Sequence, residues 1–384
     1  MEVPLSAPDI TESEIAAVTD VLRSPQLSLG PKLAEFERAV ADYTNTPYAV
    51  AVNSGTSGLH LCVRALGFKE GDEVIVPSFT FIAAANAIMY ERATPVFVDI
   101  SPDSLNLDPE QVEAAITPRT RAIMAVHTFG RPAPMREILS IAEMHRLVVI
   151  EDACEAIGAE YVGRKVGSFG RAGVFAFYPN KQITTGEGGI VVTHDESLAI
   201  HIRSLRNQGR SAGGDWFDHA ALGYNYRLPE MSCALGIAQL KRLETILEQR
   251  EAVAQAYQHL LAGCSDIVLP SPNIADGRIS WFVYVVQLRD GFTQADRDWI
   301  VTELRERGIG CGRYFAPIHL QPSYRDLLKY NRPNLPQTER IAARTLALPF
   351  FNKISEKQIE FVCEELIRLL ARRRDKCGQM KHPT

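Results

Sequence analysis

The stretch Tyr48-Ala-Val-Ala-Val-Asn-Ser-Gly-Thr-Ser-Gly-Leu59 sets the reading of the whole chain. Its first five residues are apolar with no polar alternation, which predicts a strand buried on both faces. A small, hydroxyl-rich turn follows, and Ser57 to Leu66 reads as a helix. The same unit recurs downstream. Glu73–Val76 is strand-like and precedes a helix over Phe81–Tyr90. Thr94–Val98 and Ala122–Val126 are strand-like, and Met135–Arg146 is helical. Leu147–Ile150, Gly173–Phe177 and Gly189–Val192 add further strands. Alternation of this kind predicts an α/β fold on a mostly parallel sheet with right-handed crossovers.

In such sheets ligands bind beyond the carboxyl ends of the strands. The residues just after the strands should therefore converge on one cleft. They are Asn53-Ser-Gly-Thr56, Pro77-Ser-Phe-Thr80, His127, Asp152 and the segment around Lys181. From about residue 235 the texture changes. Leu235–Tyr257 reads as one long helix, Trp281–Val286 as a strand, and Asp296–Arg307 and Ser355–Arg372 as helices. We expect a large domain over residues 1–240 and a smaller α+β domain over 241–384.

Composition narrows the function classes. The 384 residues are 46% hydrophobic and 23% charged, ordinary values for a chain with a large core. A net charge of -5 offers no basic excess for nucleic acid, and the Arg372-Arg-Arg374 cluster reads as a helix C-terminal complement. No apolar run reaches membrane-spanning length. The opening Met-Glu-Val-Pro-Leu-Ser lacks the basic and apolar regions of a secretory signal. Seven scattered cysteines without a CxxC pair suit reduced thiols in a cytoplasmic protein, and no zinc site is expected. No GxSxG elbow, GxGxxG or P-loop pattern occurs.

Three segments could carry chemistry. Asn53–Leu59 lies between strand and helix, where backbone N–H groups and glycines make an anion site; its plainer reading is an N-capping turn. Asp152 follows a very apolar strand, where a carboxylate is costly without a positive partner such as a protonated ring nitrogen. An N-cap or a structural ion pair is its alternative. Lys181 lies in Phe175-Ala-Phe-Tyr-Pro-Asn-Lys-Gln-Ile-Thr-Thr-Gly-Glu-Gly-Gly189, an apolar run that delivers one amine before a glycine-rich turn. An amine held this way can form a Schiff base with a carbonyl cofactor, though most lysines are simply exposed. Phe81 and Tyr178 could border a flat ring or be core residues. A phosphate cradle, a carboxylate for a ring nitrogen and a lysine for an aldehyde together describe pyridoxal 5′-phosphate (PLP).

At this point the chain resembles the sugar-nucleotide aminotransferases of PLP fold type I, the DegT/DnrJ/StrS-like family. The resemblance runs through Gly30-Pro31, Ser54–Gly58, Val76–Thr80, Thr94–Asp99, His127–Gly130 and Glu151–Ala153. It continues through Phe177–Lys181, Thr184–Gly189, Arg206–Gly209, Gly223–Arg227 and His319–Pro322. It implies a seven-stranded PLP-binding domain, aspartate aminotransferase-like, with a smaller C-terminal domain. It implies that Lys181 is the Schiff-base lysine and moves the proton, and that Asp152 holds the pyridine nitrogen. Gly55 and Thr56 would bind phosphate, Phe81 would cover one ring face, and Glu155 would lie beside the ring. The active site would lie at a homodimer interface, with Asn225 and Arg227 reaching the partner subunit. Tyr178, His319 and its neighbours would lie nearer the sugar.

The implied reaction moves an amino group from L-glutamate or glutamine to a nucleotide-linked keto sugar. A 4-keto-6-deoxy sugar stands first and a 3-keto sugar or cyclitol ketone next. Related sugar dehydratases replace the lysine with histidine, so Lys181 favours transamination. A protein that binds PLP or sugar nucleotide without turnover is the rival of a different class. Two positions depart from the family. Ala176 stands where serine often binds the phosphate, with Thr184 or Thr185 as substitute donors by proximity, and Glu155 stands where glutamine is common.

Overall fold

The computed structural model describes residues 1–211, 215, 217–328 and 332–380. Its centre is a seven-stranded sheet of β1 (Tyr48–Val52), β2 (Glu73–Pro77), β3 (Thr94–Val98), β4 (Thr120–Val126), β5 (Val148–Asp152), β8 (Ala172–Ala176) and β9 (Gly189–Thr193). The strand order is β1-β9-β8-β5-β4-β2-β3. All strands run parallel except β9, which pairs antiparallel with both β1 and β8. The reversal is made by the turn over 177–188, which closes on itself: Phe177 N–H donates to Gly188 O at 2.9 Å and Thr185 N–H to Phe177 O at 3.0 Å.

The apolar runs are explained by helices on both faces. Val50, Val52, Val76, Met124, Ile150 and Val174 face one core, with residues of α3 (Gly55–Ala65), α4 (Ala83–Tyr90) and α7 (Glu196–Arg206). Alternate residues point the other way. Ala49, Ala51, Phe175 and Ile190 pack with α2 (Pro31–Thr44) and α8 (Glu230–Lys241), while Ile75, Ile123 and Val149 pack with α5 (Pro109–Ala114) and α6 (Met135–His145). A second small sheet joins β6 (Glu160–Tyr161), β7 (Arg164–Lys165) and β11 (Gly277–Arg278), strands too short for periodicity to reveal.

The C-terminal part has its own core. An antiparallel sheet of β10 (Ile267–Val268), β12 (Tyr284–Leu288) and β13 (Thr345–Leu348) packs against α9 (Leu243–Leu261), α10 (Gln294–Glu306) and α13 (Glu356–Met380). Short helices α11 (Pro322–Leu327) and α12 (Pro336–Ala342) lie outside this core: Tyr324 of α11 packs with the large-sheet core, and Ile341 and Ala342 of α12 pack with Phe79, Phe129 and Phe282. The N-terminal segment, which ends in α1 (Glu12–Leu22), also reaches this core: Val3 is buried in it and bridges Ile309.

The single helix expected over Leu235–Tyr257 is two helices, α8 and α9, broken at Arg242. The break is tertiary in origin. The Arg242 guanidinium is drawn to Asp9 Oδ2 at 2.8 Å and Glu14 Oε1 at 2.9 Å. Among the described residues, no helix is long and apolar enough to cross a membrane.

Candidate active site

Beyond the carboxyl ends of the parallel strands lies a cavity of about 490 Å³. Its lining includes Ser54, Gly55 and Thr56 after β1, Thr80 and Phe81 after β2, Asp152 at the end of β5 with Glu155 beyond it, and Ala176 at the end of β8 with Tyr178 and Lys181 beyond it. These come from four separate strands, and only the sheet brings them together. Phe282, Tyr314 and Phe315 wall the cavity from the C-terminal part.

The floor at β1 is a helix N-terminus. The first four N–H groups of a helix lack partners within it. In α3, Ser54 Oγ caps the Ser57 N–H at 3.1 Å and the Ser54 carbonyl takes the Gly58 N–H. Ser57 Oγ in turn donates to Asn53 Oδ1 at 2.7 Å. Gly55 and Thr56 are left as the two donors over the cavity, at the positive end of the helix dipole.

Lys181 sits in the turn between β8 and β9. Its N–H donates to the Tyr178 carbonyl at 2.9 Å, and Thr185 N–H closes the turn onto Phe177 O at 3.0 Å. The hydroxyl of Thr184 donates to Phe177 O at 2.9 Å and that of Thr185 to Glu187 O at 2.8 Å. Both threonines are thus committed to the turn and neither lines the cavity, which removes them as stand-ins at Ala176. The Lys181 amine lies 3.5 Å from Glu155 Oε1, and its side chain is 12% exposed.

Two buried carboxyls face this amine. Burial pushes Asp152 above the usual carboxylate range, against the pull of Cys154 and the charge of Lys181. Its Oδ1 accepts the Cys154 N–H at 3.2 Å. Burial raises Glu155 likewise, opposed by Lys181 and by the Phe129 N–H, which it accepts at 3.0 Å. Phe129 holds that N–H in place with a left-handed backbone, φ 57°. The Cys154 thiol is pushed well up by burial and by the charge of Asp152.

Some expected residues lie elsewhere. His127 is fully buried and outside the cavity lining: Nδ1 accepts the Ala133 N–H at 3.0 Å, so Nε2 carries the proton and donates to Glu151 at 3.0 Å. His319 is also fully buried, tied to Ser78 Oγ at 2.7 Å and Glu339 at 3.2 Å. It anchors the chain just after Tyr314 and Phe315, and it is these that reach the cavity. Asn225 and Arg227 line no part of this chain's own cavity. Asn225 is exposed and bridges Asn207, whose side chain also takes Arg227 Nη1 at 3.0 Å. Phe81 and Tyr178 stand 60% and 51% exposed at the rim. Phe282, Asn180 and Tyr314 carried no sequence signal beyond aromaticity or proximity to Lys181.

The chemistry of this donor set suits PLP. Free N–H donors at a helix start suit a phosphate, a buried carboxyl suits a protonated ring nitrogen, and a buried amine suits an aldehyde. Asn180 Oδ1 is buried without a protein partner among the described residues, as expected where a polar ligand completes the site. Among the described residues, no group of three or more His, Cys, Asp or Glu could hold a metal ion.

Comparison with known proteins gives a consistent picture. The profile of the DegT/DnrJ/EryC1/StrS aminotransferase family matches residues 8–367. GDP-perosamine synthase of Caulobacter vibrioides is 40% identical over 371 residues, covering 96% of this chain and 98% of that protein. The solved structure of Helicobacter pylori PseC, an aminotransferase involved in the biosynthesis of pseudoaminic acid, is similar with a TM-score of 0.92 and 29% identity. It covers 97% of this chain and all 100% of that one. The Streptococcus pneumoniae protein Spr1654, solved in PLP and PMP forms, is equally similar, with a TM-score of 0.92 and 29% identity. Its PLP form covers 97% of this chain and 99% of that one.

Proposed function

The chain belongs to the DegT/DnrJ/EryC1/StrS aminotransferase family, and from that premise we propose that it transfers an amino group from L-glutamate (or glutamine) to a nucleotide-linked keto sugar, a 4-keto-6-deoxy sugar before others. Its cofactor is pyridoxal 5′-phosphate. The reaction belongs to amino-sugar or polysaccharide biosynthesis. A nucleotide-linked acceptor is supported by the relative named for a GDP-linked sugar. The single observation that carries the reading is the meeting of Lys181, Asp152 and the start of α3 around one cavity.

The cofactor supplies an electron sink for charge that develops on the substrate carbon. The chain's residues do the rest. Gly55 and Thr56 bind the phosphate through N–H groups and the Thr56 hydroxyl. Asp152 would hold a protonated ring nitrogen, a positive partner for a carboxyl that burial raises above the usual range. Lys181 Nζ takes the proton from the substrate carbon and returns it to the other reacting carbon. Phe81 covers one ring face at the rim. Tyr178 borders the substrate side, and His319 acts there by holding the chain that carries Tyr314 and Phe315.

The site is completed across a homodimer, with Asn225 and Arg227 reaching the partner's cavity. The exposure of Phe217 and Leu222, at 81% and 79%, supports an interface beside them. The division near residue 240 into a large and a small domain is supported by the break at Arg242 and by the separate C-terminal core.

The test is incubation with glutamate and a panel of nucleotide-linked 3-keto and 4-keto sugars, read by mass spectrometry. An amino sugar from a 4-keto-6-deoxy acceptor is expected. Product from a 3-keto acceptor alone would reassign the ketone. Turnover of glutamate with no sugar accepted would contradict the sugar reading.

A further inference from the structure

The amine of Lys181 has two close neighbours. Glu155 Oε1 lies at 3.5 Å, and the Phe282 ring centroid lies 4.0 Å away. With its side chain mostly buried, the ammonium has lost most of its water, and these two contacts replace it. A ring face attracts a cation more strongly when both are desolvated.

Phe282 reaches Lys181 from the C-terminal part, on a strap that is fastened at both ends. Ser280 N–H donates to Gly130 O at 2.9 Å, and Ser280 Oγ to Ile157 O at 2.6 Å. Gln182, next to Lys181, gives its Nε2 to Ser280 O at 2.9 Å and to Glu155 O at 2.7 Å. The approach at Gly130 tolerates no side chain, since a Cβ there would lie 1.7 Å from Ser280 O. From the other side comes Arg250 of α9. Its Nε donates to Trp281 O and its Nη2 to Phe282 O, both at 2.7 Å, and its guanidinium lies 4.9 Å from the Phe350 ring centroid.

Arg250 is 2% exposed, and its guanidinium donates to two backbone carbonyls. Burial pushes it down to about 9. A buried cation committed to two carbonyls is a costly way to hold a loop. What it fixes is the backbone of an aromatic that touches the reactive amine.

We propose that Glu155 and Phe282 form a cradle for the ammonium form of Lys181, and that Arg250 positions the aromatic part of it. The inference rests on the reading of Lys181 as the reactive amine. When Nζ takes up the substrate proton, the charge it gains lands beside a carboxyl and a ring face. Phe282 favours that charge at every pH. Glu155 favours it more as its own carboxyl ionises. Among the described residues, the other titratable groups lining the cavity with the pair are Asp152, Cys154, Tyr178, Glu187 and Tyr314. Burial holds the Cys154 thiol and the Tyr314 phenol above their usual ranges, so both stay neutral near pH 7.

The test uses full-length protein freed of cofactor. Brief labelling with acetic anhydride across a pH series, read on the peptide that carries Lys181, gives the midpoint at which its amine loses the proton. Phe282→Leu should move that midpoint down, while Phe282→Tyr should retain it. Arg250→Lys, which cannot span both carbonyls, should move it the same way as Phe282→Leu. Glu155→Gln keeps the acceptor for the Phe129 N–H and the shape of the side chain, so it stays informative if Phe282→Leu does not fold. It should also lower the midpoint. Unchanged midpoints in Phe282→Leu and Glu155→Gln would overturn the cradle. Borohydride trapping of added PLP on Lys181 checks the underlying reading separately, because the labelling needs no cofactor.

Discussion

Gly55 carries no side chain because there is no room for one. A Cβ there would lie 2.7 Å from the Ala176 methyl and 2.9 Å from Cys154 Sγ. Gly55→Ala would therefore push the first turn of α3 away from β8, and overpacking of this kind costs about 1–3 kcal/mol. The expected outcome is PLP affinity lowered about tenfold or more in an equilibrium titration, since 1.4 kcal/mol is a factor of ten. Unchanged affinity would separate Gly55 from the phosphate. The same crowding bears on Ala176, where a larger side chain would meet the same turn. At this scale much of the site was legible. Gly55, Thr56, Phe81, Asp152, Glu155, Tyr178 and Lys181 line one cavity because each ends or follows a strand of the same sheet. His127 and His319 were not legible as buried anchors, since sequence does not tell a histidine facing a cavity from one tying two loops. Phe282 and Tyr314 were missed because they arrive from far along the chain.

Between elements, α2 is capped from outside itself. Its N-terminus begins at Gly30-Pro31, and its free N–H groups are met by Glu230 of α8. That carboxyl accepts from Gly30 N at 3.0 Å, Lys32 N at 2.7 Å and Leu33 N at 2.9 Å. Glu230 is 1% exposed, so its removal leaves donors that water reaches poorly. Glu230→Ala should cost about 2–4 kcal/mol in chemical denaturation, from several charge-assisted bonds lost together, and Glu230→Gln less. A loss below about 0.5 kcal/mol for Glu230→Ala would refute the cap. Sequence periodicity located α8 and α9 as helix but joined them, because the break at Arg242 depends on Asp9 and Glu14, more than two hundred residues away.

For the molecule as a whole, the parallel sheet followed from strand and helix alternation. The placement of the N-terminus did not, because a few residues such as Val3 carry too little pattern. That segment is tied down by charge. Asp9 meets Arg242 and Lys353, and Glu14 meets Arg242, Gln239 and Thr11. Burial pushes the Glu14 carboxyl up, but hydrogen bonds from Thr11, Arg242 and Gln239 outweigh it and hold it down to about 2. A depressed carboxylate adds stability that is present above its unfolded value and lost as pH falls through its folded one. The urea midpoint should therefore fall as pH drops from about 4.5 toward about 2. Glu14→Gln should be less stable than the parent at pH 7 and show a shallower fall over that window. An equally steep fall in Glu14→Gln would place the acid-sensitive groups elsewhere. Asp152 and Glu155 act with the opposite sign, since their raised values favour the protonated folded state and cost stability as pH rises.

One measurement bears most directly on the assignment of Lys181 and its cavity: the half-reaction with glutamate alone. PLP-loaded protein is mixed with excess L-glutamate and no acceptor, and both the visible absorbance of the cofactor and the 2-oxoglutarate released are followed. The parent protein should bleach and release about one 2-oxoglutarate per active site, the stoichiometry of a ping-pong first half. Lys181→Ala should do neither on the same timescale. Release of 2-oxoglutarate by Lys181→Ala at the parent's rate would contradict the central role given to that amine.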